Sequence, residues 1–143
     1  MAWRFLGMLV GLSAAVGCAA FDDPMGRERA LEGAQLRYTQ HVRWGELDAA
    51  SDFVDPALRK EFLAFGPAFE AIRITEYDIG RIEYAEDRES ATVHVTYHGY
   101  SLANAQERRI QEQQRWVRPG SGNTWWVQPK LAGLLEPFVG ATP

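Results

Sequence analysis

Apolar residues recur at helical spacing in the first half of the chain. Residues 27 to 44 carry such a stripe: Leu31, Ala34, Tyr38 and Val42. Intervals of three and four place these side chains on one side of a helix, while charged and amide residues cover the remaining surface. Gly45 follows directly, so we predict an amphipathic helix that ends there.

Two shorter helices are predicted to follow. The second helix has three apolar positions at helical spacing: Leu47, Ala50 and Val54. Asp55-Pro56 is a start signal for the third helix, because the carboxylate accepts from free amides and proline needs no amide hydrogen in the first turn. The buried face of this helix would hold three residues: Leu58, Phe62 and Phe65. We expect the third helix to end at Gly66-Pro67.

The second half of the chain changes to the alternating pattern of strands. Alternation from Ile72 to Tyr84 slips near Gly80, which predicts a strand with a bulge. The next strand has apolar residues on one face: Val93, Val95 and Tyr97. Residues 107–118 and 124–128 complete two more strands. Four consecutive strands predict an α+β fold, in which the N-terminal helices pack on a curved four-stranded antiparallel sheet.

The predicted third strand is unusually polar. From Glu107 to Arg115 almost every residue is charged or an amide, and Trp116 is the first large aromatic residue. Two interpretations stay open at this point. The long side chains could cover the sheet with their stems while their polar ends stay in water. Alternatively, the strand presents a polar surface that meets a partner or lines a small cup, and its register decides between the two.

The first residues have the layout of a secretion signal. Arg4 precedes an apolar stretch at residues 5–16, and small residues then lead to Cys18. A core of about 12 apolar residues fits a signal peptide, whereas a membrane-spanning helix needs roughly 20. The sequence Ala-Val-Gly-Cys at residues 15–18 resembles the lipobox of bacterial lipoproteins. The alternatives are an ordinary signal cut elsewhere, for instance after Ala20, and an uncleaved anchor.

The lipobox resemblance implies cleavage before Cys18 and acyl chains, palmitate among them, on its sulfur. We therefore divide the chain into a signal peptide (1–17), a lipidated cysteine with its tether (18–26) and a single α+β domain with a C-terminal tail (27–143). Cys18 is the only cysteine, so an internal disulfide is excluded. With 15 basic and 19 acidic residues, a net charge of −4, the chain lacks the electrostatic footprint of a nucleic-acid-binding protein.

Two local motifs and the order of the elements resemble a known domain type. The motifs are Arg-Trp-Gly-Glu-Leu-Asp-Ala-Ala at residues 43–50, leading into Asp55-Pro56, and a closing hairpin with Trp116 and Trp125-Trp126. They resemble small bacterial lipoproteins with the cone-shaped domain of nuclear transport factor two, ketosteroid isomerase and scytalone dehydratase. The similarity covers roughly residues 27–129. It implies the fold and not the function, because proteins that share a fold can differ in function.

Catalytic members of that superfamily have an open cup with an aspartate or histidine as general base. The resemblance implies that such a residue could lie in a cup here. The candidates here are Asp78, His41 and Tyr38; the other interpretation is that they are surface or rim residues. His94 and His98 alternate with the valines and are predicted to face water. They lie ~13 Å apart along a straight strand, so we predict no shared metal ion and expect no cofactor.

Apolar residues return at helical spacing after the last strand: Leu131, Leu134, Leu135 and Phe138. Gly133 weakens this predicted helix, and Pro137 would end it. The tail could pack on the domain's own core. The other interpretation is that it docks on a periplasmic protein partner through an exposed apolar face.

The signal leads to a first hypothesis about function. We expect a membrane-anchored envelope lipoprotein that acts as a non-enzymatic interaction or scaffolding domain. Ala19 stands directly after the cysteine, and the resemblance to bacterial lipoproteins then favours the periplasmic face of the outer membrane. Two alternatives stay open: a small-ligand-binding or isomerase/dehydratase-type cup protein, and a subunit of a secretion or envelope assembly.

Overall fold

A computed structural model describes residue 23 and residues 25–130 of the chain. The elements in chain order are α1 (Arg27–Trp44), α2 (Leu47–Ser51), α3 (Arg59–Leu63), α4 (Gly66–Glu70), β1 (Ile72–Tyr84), β2 (Ser90–Ser101), β3 (Glu107–Val117) and β4 (Trp126–Gln128). Within these ranges, no helix is both long enough and apolar enough to cross a membrane. The predicted signal peptide, Cys18 and the tail residues Leu131, Leu134, Leu135 and Phe138 lie outside the described residues.

Helix α1 has the predicted bounds and the predicted buried stripe. The Asp23 carboxylate accepts from the first free amides of the helix, those of residues 27 to 29, at 2.9 to 3.2 Å. Gly45 ends it in the left-handed conformation, with φ of 72°, which glycine adopts without strain. Four apolar side chains are buried along the stripe: Leu31, Ala34, Tyr38 and Val42.

The segment after α2 differs from the prediction. Gly66-Pro67 was expected to end the third helix, but α3 already ends at Leu63 and the pair begins a further helix, α4. Proline fits the first turn of a helix, where its missing amide would have no partner, and it is also common just after a helix because it cannot continue one. The resulting short helix buries Phe69 against the core.

The four strands form one antiparallel sheet in chain order, β1-β2-β3-β4. The predicted bulge is confirmed, since the β1–β2 register shifts between Ile79 and Ile82 and again between Ile74 and Glu76. By contrast, β2 pairs with β3 continuously from Ser90↔Val117 to Tyr100↔Glu107. The predicted inner face of β2 is buried as expected: Val93, Val95 and Tyr97. The α+β fold with helices on a curved antiparallel sheet is therefore confirmed.

The core lies between the helices and the inner face of this sheet. Trp116 and Tyr38 are fully buried there and meet edge to face, with their ring centroids 5.8 Å apart. Where the chain enters the domain, Trp125 Nε1 donates to the Arg27 carbonyl at 3.0 Å. Asn123 donates to the Met25 carbonyl at 2.8 Å. The start of α1 is thus attached to the segment that connects β3 to β4.

Gly99 lies where the backbone of β1 passes close to β2. A Cβ atom at this position would come within 2.4 Å of the Arg73 carbonyl oxygen and 3.1 Å of the Ile74 Cα. Both atoms belong to the backbone, so neither can move aside without displacing β1. The residue pairs with Ile74, beside the first bulge, and only glycine allows this contact.

Substitution of Gly99 by alanine should destabilise the domain by about 1–3 kcal/mol, because the added methyl overpacks the sheet. Gly120→Ala is a matched control, since nothing lies within 4 Å of the Cβ it would add. Urea unfolding of both variants measures the difference in free energy. Equal stability of the two variants would contradict the close approach.

Candidate functional site

The register of β3 places a carboxyl group inside the core. Glu112 is opposite Val95 and Gln114 is opposite Val93, so both share the inner face with buried residues of β2. Glu112 is 6% exposed and Gln114 is fully buried, whereas Gln111 and Gln113 are exposed. The inner face of the polar strand is therefore part of the core, and its lining of a small cup stays a prediction.

Gln114 is the centre of a polar cluster formed by α1, β2 and β3. Its amide nitrogen lies 3.1 Å from the Tyr97 hydroxyl, 3.3 Å from Thr39 Oγ1 and 3.3 Å from Glu112 Oε2. Its carbonyl oxygen accepts from Gln35 at 3.2 Å and from Trp116 Nε1 at 3.3 Å. Hydrogen bonds of this kind let polar groups remain in a core at low cost.

Burial raises the pKa of Glu112 from 4.5 to about 7, and hydrogen bonds from Gln114 and Tyr97 offset part of that rise. Among the described residues, no lysine, arginine or histidine forms an ion pair with Glu112. Without a cation the ionised form is poorly stabilised. The carboxyl group therefore changes between acid and base near neutral pH.

Two buried polar atoms in this region have no hydrogen-bond partner among the described residues, Glu112 Oε1 and the Tyr38 hydroxyl. Burial raises the pKa of Tyr38 well above 10, and the Glu112 charge raises it further, so the phenol keeps its proton. The pKa of Tyr97 is raised well above 10 by the same two causes. The cluster thus combines a permanent hydroxyl donor with a carboxyl that takes up or releases a proton.

The three candidates from the sequence lie in different places. Tyr38 belongs to the buried cluster, where it faces Trp116 and Phe62. His41 lies at the surface of α1, with Nδ1 2.7 Å from Glu46 Oε2 and its ring stacked on Phe53. Asp78 is exposed on β1, opposite Thr96. The structure does not bring these three residues together, and their catalytic role stays a prediction.

The strand histidines lie on the other face of the sheet. His94 Nε2 is 3.9 Å from Glu83 Oε2, and His98 Nδ1 is 3.9 Å from Glu107 Oε1. Each histidine thus has its own carboxylate neighbour. Across residue 23 and residues 25–130, no group of three or more potential ligands is arranged to hold a metal ion.

The residues that surround Tyr38 were not predicted from the sequence. On α1 these are Gln35 and Thr39, which are buried and hydrogen-bonded to each other at 3.0 Å. On β3 they are Glu112 and Gln114. The sequence did contain one indication of this. Glu112, Gln114 and Trp116 occupy every second position of the strand, so the two polar side chains lie on the same face as the tryptophan.

Glu112→Gln should remove a pH dependence of stability. Because the folded-state pKa is raised from 4.5 to about 7, the protonated carboxyl stabilises the fold most below pH 4.5. That stabilisation is lost as pH rises through 7, by roughly 3 kcal/mol in all. The amide variant stays neutral. The difference in free energy of unfolding, variant minus wild type, should therefore increase by this amount between pH 4 and pH 8.

Urea unfolding at both pH values measures this effect. Glu107→Gln is the matched control, because Glu107 begins the same strand with its side chain 77% exposed. If both variants followed the pH dependence of the wild type, Glu112 would be ionised in the folded protein without penalty.

Comparison with known proteins bears on the fold. No family model matches the chain, and no curated protein matches it in sequence. Among solved structures, candidate polyketide cyclases from Xanthomonas campestris pv. campestris and Silicibacter sp. TM1040 each align with a TM-score of 0.51 and 14% identity. The alignments cover 78% and 79% of this chain and 98% and 97% of those chains.

A ketosteroid isomerase-like protein from Erwinia carotovora atroseptica aligns with a TM-score of 0.50 and 14% identity. This alignment covers 69% of this chain and 88% of that chain. At such identities the likeness concerns the backbone alone. It agrees with the helices and the curved sheet described above. The domain therefore has the cone-shaped fold of nuclear transport factor two and the ketosteroid isomerase-like proteins.

Proposed function

We propose that the cone binds a small carbonyl compound and exchanges a proton with it at Glu112. The observation that carries the proposal is a pair of buried atoms that have no hydrogen-bond partner within residues 25–130, Glu112 Oε1 and the Tyr38 hydroxyl. Buried polar atoms normally have partners, so an unsatisfied acceptor and donor in one interior fit a ligand that bonds to both. A perturbed carboxyl group in an interior is also typical of functional sites.

The chemistry of the two groups defines the reaction. The Glu112 carboxylate removes a proton from the carbon next to the ligand's carbonyl group. The electrons of that C–H bond form a carbon–carbon double bond, and negative charge moves to the carbonyl oxygen. Tyr38 donates a hydrogen bond to this oxygen and stabilises the charge. Return of the proton from Glu112 to carbon completes an exchange or an isomerisation, with no other reactant consumed.

The solved structures that share this fold support this class of reaction. Structural neighbours include candidate polyketide cyclases and a ketosteroid isomerase-like protein, whose names indicate chemistry on carbonyl compounds. The cup alternative is therefore favoured over a purely scaffolding role.

The test follows deuterium uptake from D2O into 2-tetralone, a small ketone with acidic C–H bonds, by proton NMR. The full chain should accelerate uptake over buffer, and the rate should rise through pH 7 as Glu112 ionises. Glu112→Gln should lower the protein-dependent rate by about 100-fold or more, because it removes the base. Tyr38→Phe should lower it by about 100-fold, because it removes the donor to the developing oxyanion.

Glu107→Gln is the matched control for this measurement, because Glu107 is an exposed acid of the same strand as Glu112. It should leave the rate unchanged. Uptake at the buffer rate with wild-type protein, or at the wild-type rate with correctly folded Glu112→Gln, would refute proton exchange at this carboxyl.

We further propose that lipid on Cys18 attaches the domain to a membrane in the bacterial envelope. The support comes from the sequence alone: the apolar stretch at residues 5–16 and the lipobox-like residues 15–18. Several acyl chains on one terminus exceed what stable membrane attachment requires. A scaffolding role through Leu131, Leu134, Leu135 and Phe138 stays a prediction.

Cys18→Ser should release the protein from the membrane fraction, because serine accepts no thioether-linked glyceride. Ala20→Ser keeps the cysteine and is the matched control. Fractionation of cells and incorporation of labelled palmitate measure the two effects together. Membrane association of Cys18→Ser at the wild-type level would exclude the anchor.

A further inference from the structure

An open cleft lies where the C-terminal end of α1 meets α2, α4 and the start of β1. Its volume is about 590 Å³, within the range of small-molecule sites. Leu47 and Phe69 contribute apolar lining to it. Arg43, Trp44 and Arg73 line it as well, and Asp48 and Glu70 complete its charged residues.

Arg43 is held in one position at this cleft. Its guanidinium carbon lies 4.2 Å from the centre of the Trp44 ring. Its Nε and Nη2 atoms both donate to the Thr75 carbonyl, which leaves Nη1 outside that interaction. A guanidinium fixed in this way loses little freedom when it binds an anion.

Trp44 gives the cleft an unusual aromatic surface. The residue is 68% exposed, although tryptophan buries more apolar area than most side chains. Arg43 covers part of one face of its ring. The remaining surface is available to a planar apolar group.

The charges at the cleft favour a ligand with one negative group. Over the described residues, the ion pairs involve other side chains, so neither Arg43 nor Arg73 has a carboxylate within pairing distance. Asp48 and Glu70 are both exposed at the same cleft. They would repel a second anionic group, whereas a single carboxylate can approach the arginines.

We propose that this cleft binds a planar aromatic monocarboxylate. Its carboxylate accepts a charge-assisted hydrogen bond from Arg43 Nη1, and its ring lies against Trp44 and the apolar lining from Leu47 and Phe69. The site is separate from the buried cluster, because neither Glu112 nor Tyr38 lines the cleft. The proposal therefore does not rest on proton exchange in the interior.

The test uses naphthalene-2-carboxylate as the probe, with naphthalen-2-ylmethanol as its neutral analogue. Calorimetry with the full chain should give at least about tenfold tighter binding of the carboxylate than of the alcohol. The indole N–H resonance of Trp44 should shift on titration. Arg43→Gln should weaken carboxylate binding about tenfold and reduce the preference over the alcohol.

The matched control is Arg109→Gln, because Arg109 is an exposed arginine of β3 away from the cleft. It should bind the probe like wild type, and circular dichroism should show an unchanged fold in both variants. Equal affinity for the two naphthalene compounds, or wild-type affinity in Arg43→Gln, would overturn the proposal.

Glu112→Gln separates the two sites. It should leave naphthoate binding unchanged if the probe lies in the cleft. Loss of binding in Glu112→Gln, together with normal binding in Arg43→Gln, would place the probe in the interior. That result would overturn the cleft proposal and leave the proposal for Glu112 standing.

Discussion

A carboxyl group buried with no cationic partner in the described part of the chain is the constraint on which the interior of this domain depends. A buried charge is costly unless hydrogen bonds compensate for lost water, and Gln114 donates one such bond to Glu112 at 3.3 Å. The same amide bonds Thr39 and Tyr97, so one side chain joins the first helix to two strands. A shift of β3 by one residue would break all these contacts and bring Gln113 and Arg115 into the core.

Strand pairing in the sheet is regular between β2 and β3 and irregular between β1 and β2. The β2–β3 pair, which carries the polar cluster, has an unbroken register over its whole length. Both register shifts lie in the β1–β2 pair instead. Bulges bend a strand and increase its twist, so the sheet curves around the helices through its edge strand. The pair that positions Glu112 stays undistorted.

Periodicity predicts most of this fold. The stripe of α1 and the alternation of β2 follow from burial on one side, which the sequence displays directly. Gly66-Pro67 was assigned wrongly because the pair suits either end of a helix. The buried cluster escaped prediction for a different reason. A glutamate in a polar strand is normally at the surface. Only Trp116, four residues further along the strand and therefore on the same face, shows that Glu112 points inward.

Helix α1 also separates the two ends of the domain. At a rise of 1.5 Å per residue, its 18 residues extend over about 27 Å. The chain enters at Arg27, where Trp125 fastens it, and Trp44 stands at the far end. If lipid on Cys18 attaches the domain to a membrane, as proposed, the attached end of the chain joins α1 at its N-terminus and the cleft beside Trp44 lies at the opposite end of this helix.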